Sequence, residues 1–86
     1  MQSFAAKVLD IVKQIPAGQT LSYGIVAKRA GSPRAARAVG NILRKNFNPA
    51  IPCHRVIYSN GRVGDYNRGQ AEKIRKLKAE HVPFKH

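Results

Sequence analysis

The chain has 86 residues and a mass of 9.5 kDa, the size of one small domain. Its 16 Lys and Arg against 4 Asp and Glu give a net charge of +12, which excludes an ordinary acidic enzyme and predicts a polyanionic partner, most simply nucleic acid. A hydrophobic content of 43% excludes a disordered basic tail, and a single Cys excludes a fold held by internal disulfides.

No apolar run approaches the roughly 20 residues of a membrane span, and the N-terminus lacks a signal-peptide cleavage region. An anionic membrane surface is the alternative partner for the charge, but basic residues spread among packed elements favour nucleic acid. We therefore expect one domain over residues 1–86, without membrane association. Its expected location is cytoplasmic and nucleoid-associated, or nuclear if the source is a eukaryote.

Two amphipathic helices are predicted in the first third of the chain. Apolar residues at helical spacing indicate the first over residues 3–15, with Ser3 as its N-cap. Ser22 is expected to cap a second helix over residues 23–30, which a glycine ends.

A third helix carries the predicted nucleic-acid contacts. Ser32 and Pro33 indicate its start, and it reaches about Lys45, so that residues 22–45 form a helix-turn-helix. At 100° per residue, one of its faces is basic and the other is apolar. The expected DNA-binding residues are Arg34, Arg37, Ala38, Asn41, Arg44 and Lys45. A merely solvated basic face is the alternative, which the helix-turn-helix spacing and the net charge disfavour.

The second half of the chain predicts a small β element and a fourth helix. Residues 51–58 contain a strand, residues 59–61 indicate a turn, and Arg62 and Val63 are a candidate hairpin partner. The last helix covers about residues 70–80. We expect it to pack through Ala71, Ile74 and Leu77, and to expose Lys73, Arg75, Lys76 and Lys78. The predicted fold class is mainly α with a small β element, a winged-helix-like helix-turn-helix domain.

Cys53, the only thiol, lies between Pro52 and His54. A lone Cys among aliphatic residues is usually a buried small hydrophobe, whereas an adjacent histidine and Arg55 also favour a reactive thiolate. Successive side chains of a strand point to opposite faces, so activation by His54 requires the chain to turn here. A zinc site is disfavoured because the Cys and His residues offer no spaced pair of ligand doublets, and no metal is expected.

Several segments together resemble the O6-alkylguanine-DNA alkyltransferases over nearly the whole chain. The matching segments are Ile51-Pro52-Cys53-His54-Arg55-Val56, Ser22-Tyr23-Gly24, Ala35-Ala36-Arg37-Ala38-Val39-Gly40, Asn46, Gly64-x-Tyr66-x-x-Gly69 and Lys73 through Glu80. Their order and spacing match the family, which makes the set far more specific than any one motif.

The resemblance implies a set of catalytic residues. Cys53 corresponds to the cysteine that takes the alkyl group from guanine O6, and His54 to the histidine that draws off the thiol proton through water. Glu80 corresponds to the carboxylate that orients this histidine. Asn46 corresponds to the asparagine that braces the turn, and Tyr23 to the tyrosine that donates toward guanine N3.

The resemblance also implies how lesion and DNA are held. The backbone of Cys53, Val56 and Asn67 corresponds to groups that read the guanine edge, and Tyr66 helps to wall the alkyl pocket together with Tyr23. Arg37 corresponds to the residue that enters the base stack when the nucleotide is flipped, as it must be before a thiol can reach it. The implied partner is double-stranded DNA containing O6-alkylguanine, bound in the minor groove by a monomer. No cofactor is implied, because the protein is itself the second substrate.

The chain departs from the family pattern at three places. The N-terminal domain usual in the family is expected to be absent. Asp65 stands where Gly or Asn is common, and Arg68 stands where a small residue is frequent, which is expected to narrow access for bulky adducts.

Two other functions compete with the suicide alkyltransferase. One is an alkyltransferase-like protein that binds the lesion without repairing it; such proteins also lack the N-terminal domain but generally carry Trp at the cysteine position. The other is an architectural helix-turn-helix protein in which Cys53 belongs only to the core.

Overall fold

The computed structural model describes residues 2–64 and 69–84. Its elements in chain order are α1 (Phe4–Lys13), β1 (Leu21–Ser22), α2 (Tyr23–Arg29), α3 (Ala36–Arg44), a 3₁₀ turn (Cys53–Arg55), β2 (Val56–Ile57) and α4 (Gln70–Ala79). None of the helices in this described part is long and apolar enough to cross a membrane.

The first two helices begin where the sequence predicts. Ser3 Oγ accepts from the Ala6 N–H at 3.1 Å, and Ser22 Oγ accepts from the Ile25 N–H at 3.1 Å. Each such cap stabilises its helix by about 1 kcal/mol. The second cap matters for the site, because it fixes Tyr23 as the first residue of α2.

The predicted start of α3 is wrong. Ser32 and Pro33 do not open the helix, which begins at Ala36 with no side-chain cap. The Ala35 N–H donates instead to the Ser32 carbonyl at 2.9 Å, closing a separate turn between α2 and α3. Pro33 takes the second position of that turn, where its fixed φ is favourable. Arg34 therefore lies in the turn rather than on the helix.

A parallel pair of short strands joins the two halves of the chain. Leu21 pairs with Val56 and Ser22 with Ile57, which places the 3₁₀ turn beside the start of α2. The predicted turn at 59–61 is present, since the Tyr58 N–H donates to the Arg62 carbonyl at 2.9 Å. The strand in 51–58 is thus confirmed only at its end, and its sheet partner β1 was not predicted.

The core has two parts. The larger is formed by α1, α2, α3 and β2, and contains Val8, Val12, Val26, Val39 and Val56, all fully buried. The smaller contains Ile57, Val63, Leu77 and Val82. Val39 and Leu43 are buried as predicted for the apolar face of α3.

Two expectations for α4 are wrong. Lys73 is 1% exposed rather than on the surface, and Ala71 is exposed rather than packed. Leu77 is buried and Ile74 packs against the smaller core cluster, as predicted. The helix is rotated so that a lysine points into the protein, and a buried lysine ammonium requires polar partners.

Candidate functional site

Cys53 lies where the backbone leaves extended geometry. It opens the 3₁₀ turn directly after Pro52, and its N–H donates to the Ile51 carbonyl at 2.8 Å. The chain therefore turns at the cysteine, as activation by the adjacent histidine requires. Cys53 is 6% exposed and belongs to the larger core cluster.

The sulfur of Cys53 has a direct hydrogen-bond donor. Asn46, just beyond the end of α3, donates from Nδ2 to Sγ at 3.2 Å. Burial raises the pKa of the Cys53 thiol, while the Asn46 amide and the charge of Lys73 act against that rise. At neutral pH the thiol is therefore mainly protonated, and reaction as a thiolate requires a base.

His54 is oriented by Glu80, the residue that ends α4. The distance from His54 Nε2 to Glu80 Oε2 is 3.0 Å. Hydrogen bonds from Arg55 are the main cause that lowers the Glu80 pKa to about 2, so this carboxylate is ionised at neutral pH. Burial lowers the pKa of His54 despite Glu80. A neutral imidazole facing an ionised carboxylate carries its proton on Nε2, which leaves Nδ1 as the basic nitrogen.

Arg55 holds Glu80 in place. Its Nε and Nη2 donate to the two carboxylate oxygens at 3.0 and 2.7 Å, and its Nη1 donates to the Ile15 carbonyl at 2.7 Å. The end of α4 is thereby tied to the segment that follows α1. The sequence alone predicts only a positive potential for Arg55, because its partners lie 25 and 40 positions away in the chain.

Tyr23 is held by the buried lysine of α4. Lys73 Nζ donates to Tyr23 Oη at 3.1 Å and lies 5.5 Å from the centre of the Tyr23 ring. Gly64, at φ +75°, lies against this tyrosine; a Cβ there would be 3.1 Å from Tyr23 Oη and 2.9 Å from Tyr58 Cε2. Only glycine fits both the backbone conformation and the space.

Cys53, Tyr23, Tyr58 and α3 line one cleft of about 530 Å³, here called the central cleft. Its lining residues are Tyr23, Gly24, Ala36, Arg37, Gly40, Asn41, Leu43, Arg44, Cys53, Tyr58 and Ser59. Three of the predicted DNA-binding residues, Arg37, Asn41 and Arg44, thus line the same cavity as Cys53. Arg44 Nη2 donates to Asn41 Oδ1 at 3.0 Å.

The other predicted site residues lie elsewhere. Arg34 and Lys45 are exposed, Ala38 is half-buried, and the Val56 side chain belongs to the core. Tyr66 and Asn67, predicted for the lesion pocket, lie outside the described residues, as do Asp65 and Arg68. Within residues 2–64 and 69–84, no three His, Cys, Asp or Glu residues come together as a metal site.

The sequence matches a known family. Residues 3–82 match the family described as 6-O-methylguanine DNA methyltransferase, DNA binding domain. The methylated-DNA–protein-cysteine methyltransferase of Methanothermobacter thermautotrophicus is 49% identical over 80 residues, which are 92% of this chain and 44% of that protein. The chain therefore spans less than half the length of this relative.

Two solved structures share the fold. The Mycobacterium tuberculosis OGT in complex with DNA has a TM-score of 0.87 at 37% identity, over 96% of this chain and 52% of that chain. The S. pombe Atl1 in complex with damaged DNA containing O6-carboxymethylguanine has a TM-score of 0.84 at 34% identity, over 95% of this chain and 81% of that chain. The mostly helical fold with a two-stranded sheet matches both, which confirms the predicted fold class.

Proposed function

Since the chain belongs to the 6-O-methylguanine DNA methyltransferase family through a DNA-binding domain that covers residues 3–82, we propose that it repairs O6-alkylguanine in double-stranded DNA. The alkyl group is transferred irreversibly to Cys53, so each molecule acts once. The observation that carries this proposal is that Cys53 lines the central cleft, with the Asn46 amide 3.2 Å from its sulfur. A cysteine that served only the core would need neither that donor nor a cationic cleft.

The proposed reaction is a direct displacement at carbon. His54 Nδ1, acting through water, accepts the thiol proton, and the imidazolium that forms is stabilised by Glu80. The sulfur attacks the alkyl carbon, the bond from that carbon to O6 breaks, and its electron pair leaves with the guanine. The Tyr23 hydroxyl oxygen accepts a hydrogen bond from Lys73. This contact orients the tyrosine O–H so that it donates toward the departing base. The product is a thioether and nothing is oxidised or reduced.

The central cleft also supports the proposed DNA contact. A reacting carbon on O6 is inaccessible inside a stacked duplex, so the nucleotide must be rotated out, at a cost of a few kcal/mol. Arg37 and Arg44 stand on the cleft wall formed by α3, and both side chains are exposed. We propose that a monomer places α3 in the minor groove, where sequence is read only weakly and repair at any sequence is possible.

A protein that binds the lesion without transferring its alkyl group is the second candidate. The S. pombe Atl1, which shares the fold, is in complex with damaged DNA containing O6-carboxymethylguanine. Cys53, with its donor and its oriented histidine, favours transfer over binding alone.

The two candidates differ in what happens to the DNA. We expect a duplex with one O6-methylguanine to be converted to guanine, with at most one lesion removed per protein molecule however long the incubation. Chromatography of the digested nucleosides measures this directly. Intact O6-methylguanine in a tightly bound duplex would instead favour the second candidate. Intact O6-methylguanine together with equal affinity for damaged and undamaged duplex would leave only an architectural role.

Arg37→Ala should separate base rotation from general DNA affinity. If Arg37 fills the space that the rotated nucleotide leaves, its loss slows repair by about 10-fold or more, while binding to undamaged duplex falls about 3-fold or less. Arg44→Ala is the matched control on the same helix. It should weaken binding to both duplexes similarly and reduce the salt slope by about one. The same pattern from both variants would contradict the role of Arg37.

A further inference from the structure

Tyr58 presents an exposed aromatic ring in the central cleft. It is 49% exposed although it lies next to the buried strand β2. Its position is well determined, because its N–H is bonded to the Arg62 carbonyl and its ring packs on Tyr23, with centres 5.0 Å apart and planes tilted by 49°. The exposed face of this ring is available for stacking against a ligand.

Among the described residues that line the central cleft, Tyr58 provides most of the exposed aromatic surface. Tyr23, its ring partner, is only 9% exposed and is held from the other direction by Lys73. Gly64 lies against the ring of Tyr58, and a Cβ there would be 2.9 Å from Cε2. Tyr58 is thus supported by Tyr23 and Gly64, and the rest of its surface faces outward.

The other groups of the central cleft indicate what Tyr58 contacts. Arg37 and Arg44 line the same cavity, Arg44 is suited to a phosphate, and the net charge of +12 makes DNA the complementary partner. Tyr58 lines this cavity together with Cys53, so a nucleobase or sugar that occupies it can contact the ring. Aromatic side chains stack on bases of any kind, because every base has a π-face.

We propose that Tyr58 is a nucleotide-binding residue that stacks against the rotated-out nucleotide and retains it in the central cleft. The proposal rests on the proposed function, because it requires a nucleotide outside the helix. In this arrangement the cationic residues of α3 bind the DNA backbone, and the Tyr58 ring binds the rotated-out nucleotide. Tyr58 therefore increases the preference for damaged DNA and has little effect on affinity for intact duplex.

The test compares three variants at Tyr58 in a Cys53→Ala background, where no transfer disturbs the binding equilibrium. Tyr58→Phe keeps the ring, Tyr58→Leu keeps apolar bulk without it, and Tyr58→Ala removes both. Binding is measured with a duplex that contains one O6-methylguanine and with the same duplex containing guanine, and thermal melting of each variant checks its fold.

We expect Tyr58→Phe to bind within about 2-fold of its parent, and Tyr58→Leu and Tyr58→Ala to lose about 5- to 30-fold on the damaged duplex alone. Unchanged or tighter binding of the damaged duplex by Tyr58→Ala would overturn the proposal, because the ring would then be neutral or an obstruction. Equal losses on both duplexes would also overturn it. The proposed function is tested separately by the wild-type protein, which would leave O6-methylguanine intact in the duplex if that function were wrong. A loss of lesion binding in the Tyr58 variants and a loss of repair are therefore distinguishable.

Discussion

Glu80→Gln is expected to reduce the rate of alkyl transfer by about 10²- to 10³-fold and to destabilise the fold by about 2–3 kcal/mol. One carboxylate accepts two hydrogen bonds from Arg55 and one from His54. A glutamine amide has only one accepting oxygen, so its NH₂ group would face a donor. His54 would lose the acceptor that fixes its tautomer, and Arg55 would lose its ionised hydrogen-bond acceptor.

The measurements are single-turnover repair kinetics and thermal melting. For a domain of this size, the expected destabilisation lowers Tm by about 10–20 °C. Glu72→Gln is the control: it lies on the same helix and is paired with Arg75 on the surface. Surface pairs contribute about 1 kcal/mol or less. A normal repair rate in Glu80→Gln would contradict the role of Glu80 in orienting the base.

Glu80 also predicts how the fold responds to acid. Its pKa is about 2 in the folded protein, below the ordinary 4.5, so the unfolded chain takes up the proton first as pH falls. The stability contributed by this carboxylate is therefore complete above about pH 4.5 and is lost between there and pH 2. In Glu80→Gln this group no longer titrates, and the loss of stability over that interval should be smaller.

Lys73→Met is expected to slow alkyl transfer by about 10²-fold, with a smaller effect on DNA binding. Lys73 acts on two groups: its ammonium orients the Tyr23 hydroxyl, and its charge lowers the pKa of the Cys53 thiol. Its replacement by an apolar side chain of similar length removes both effects. The rate should also reach its maximum at a higher pH than in the wild type, because the thiol pKa rises.

A double-mutant cycle with Tyr23→Phe separates the two effects. If part of the loss passes through the tyrosine hydroxyl, Lys73→Met should cost less in the Tyr23→Phe background than alone. Lys78→Met, at an exposed position of the same helix, is the control and should repair normally. Fully additive losses in the cycle would contradict an action of Lys73 through Tyr23.

Local signals account for what the sequence predicted well. The caps at Ser3 and Ser22 and the turn at 59–61 depend on residues within four positions of one another, and all three are found. The alternation of basic and apolar residues along α3 likewise reflects one helix and its immediate core. Such features need no knowledge of the rest of the fold.

The errors arose where distant segments decide the outcome. Lysine side chains are usually exposed. Lys73 is buried because the fold brings it to Tyr23, 50 positions away in the chain, where its ammonium donates to the tyrosine hydroxyl. The acceptors of Arg55 are also distant in the chain, since Glu80 follows α4 and Ile15 follows α1. Ser32 and Pro33 resemble the start of a helix but form a turn, because helix starts and turns favour the same residues.

The central claim is that Cys53 is the alkyl acceptor, and mass spectrometry of the protein after reaction tests it most directly. The protein is incubated with a duplex containing one O6-methylguanine, digested, and its peptides are compared with those from an undamaged duplex. The account predicts a methyl group in place of one hydrogen on the peptide with Cys53, and no such gain in Cys53→Ala. An unmodified Cys53 after complete binding of the damaged duplex would contradict it.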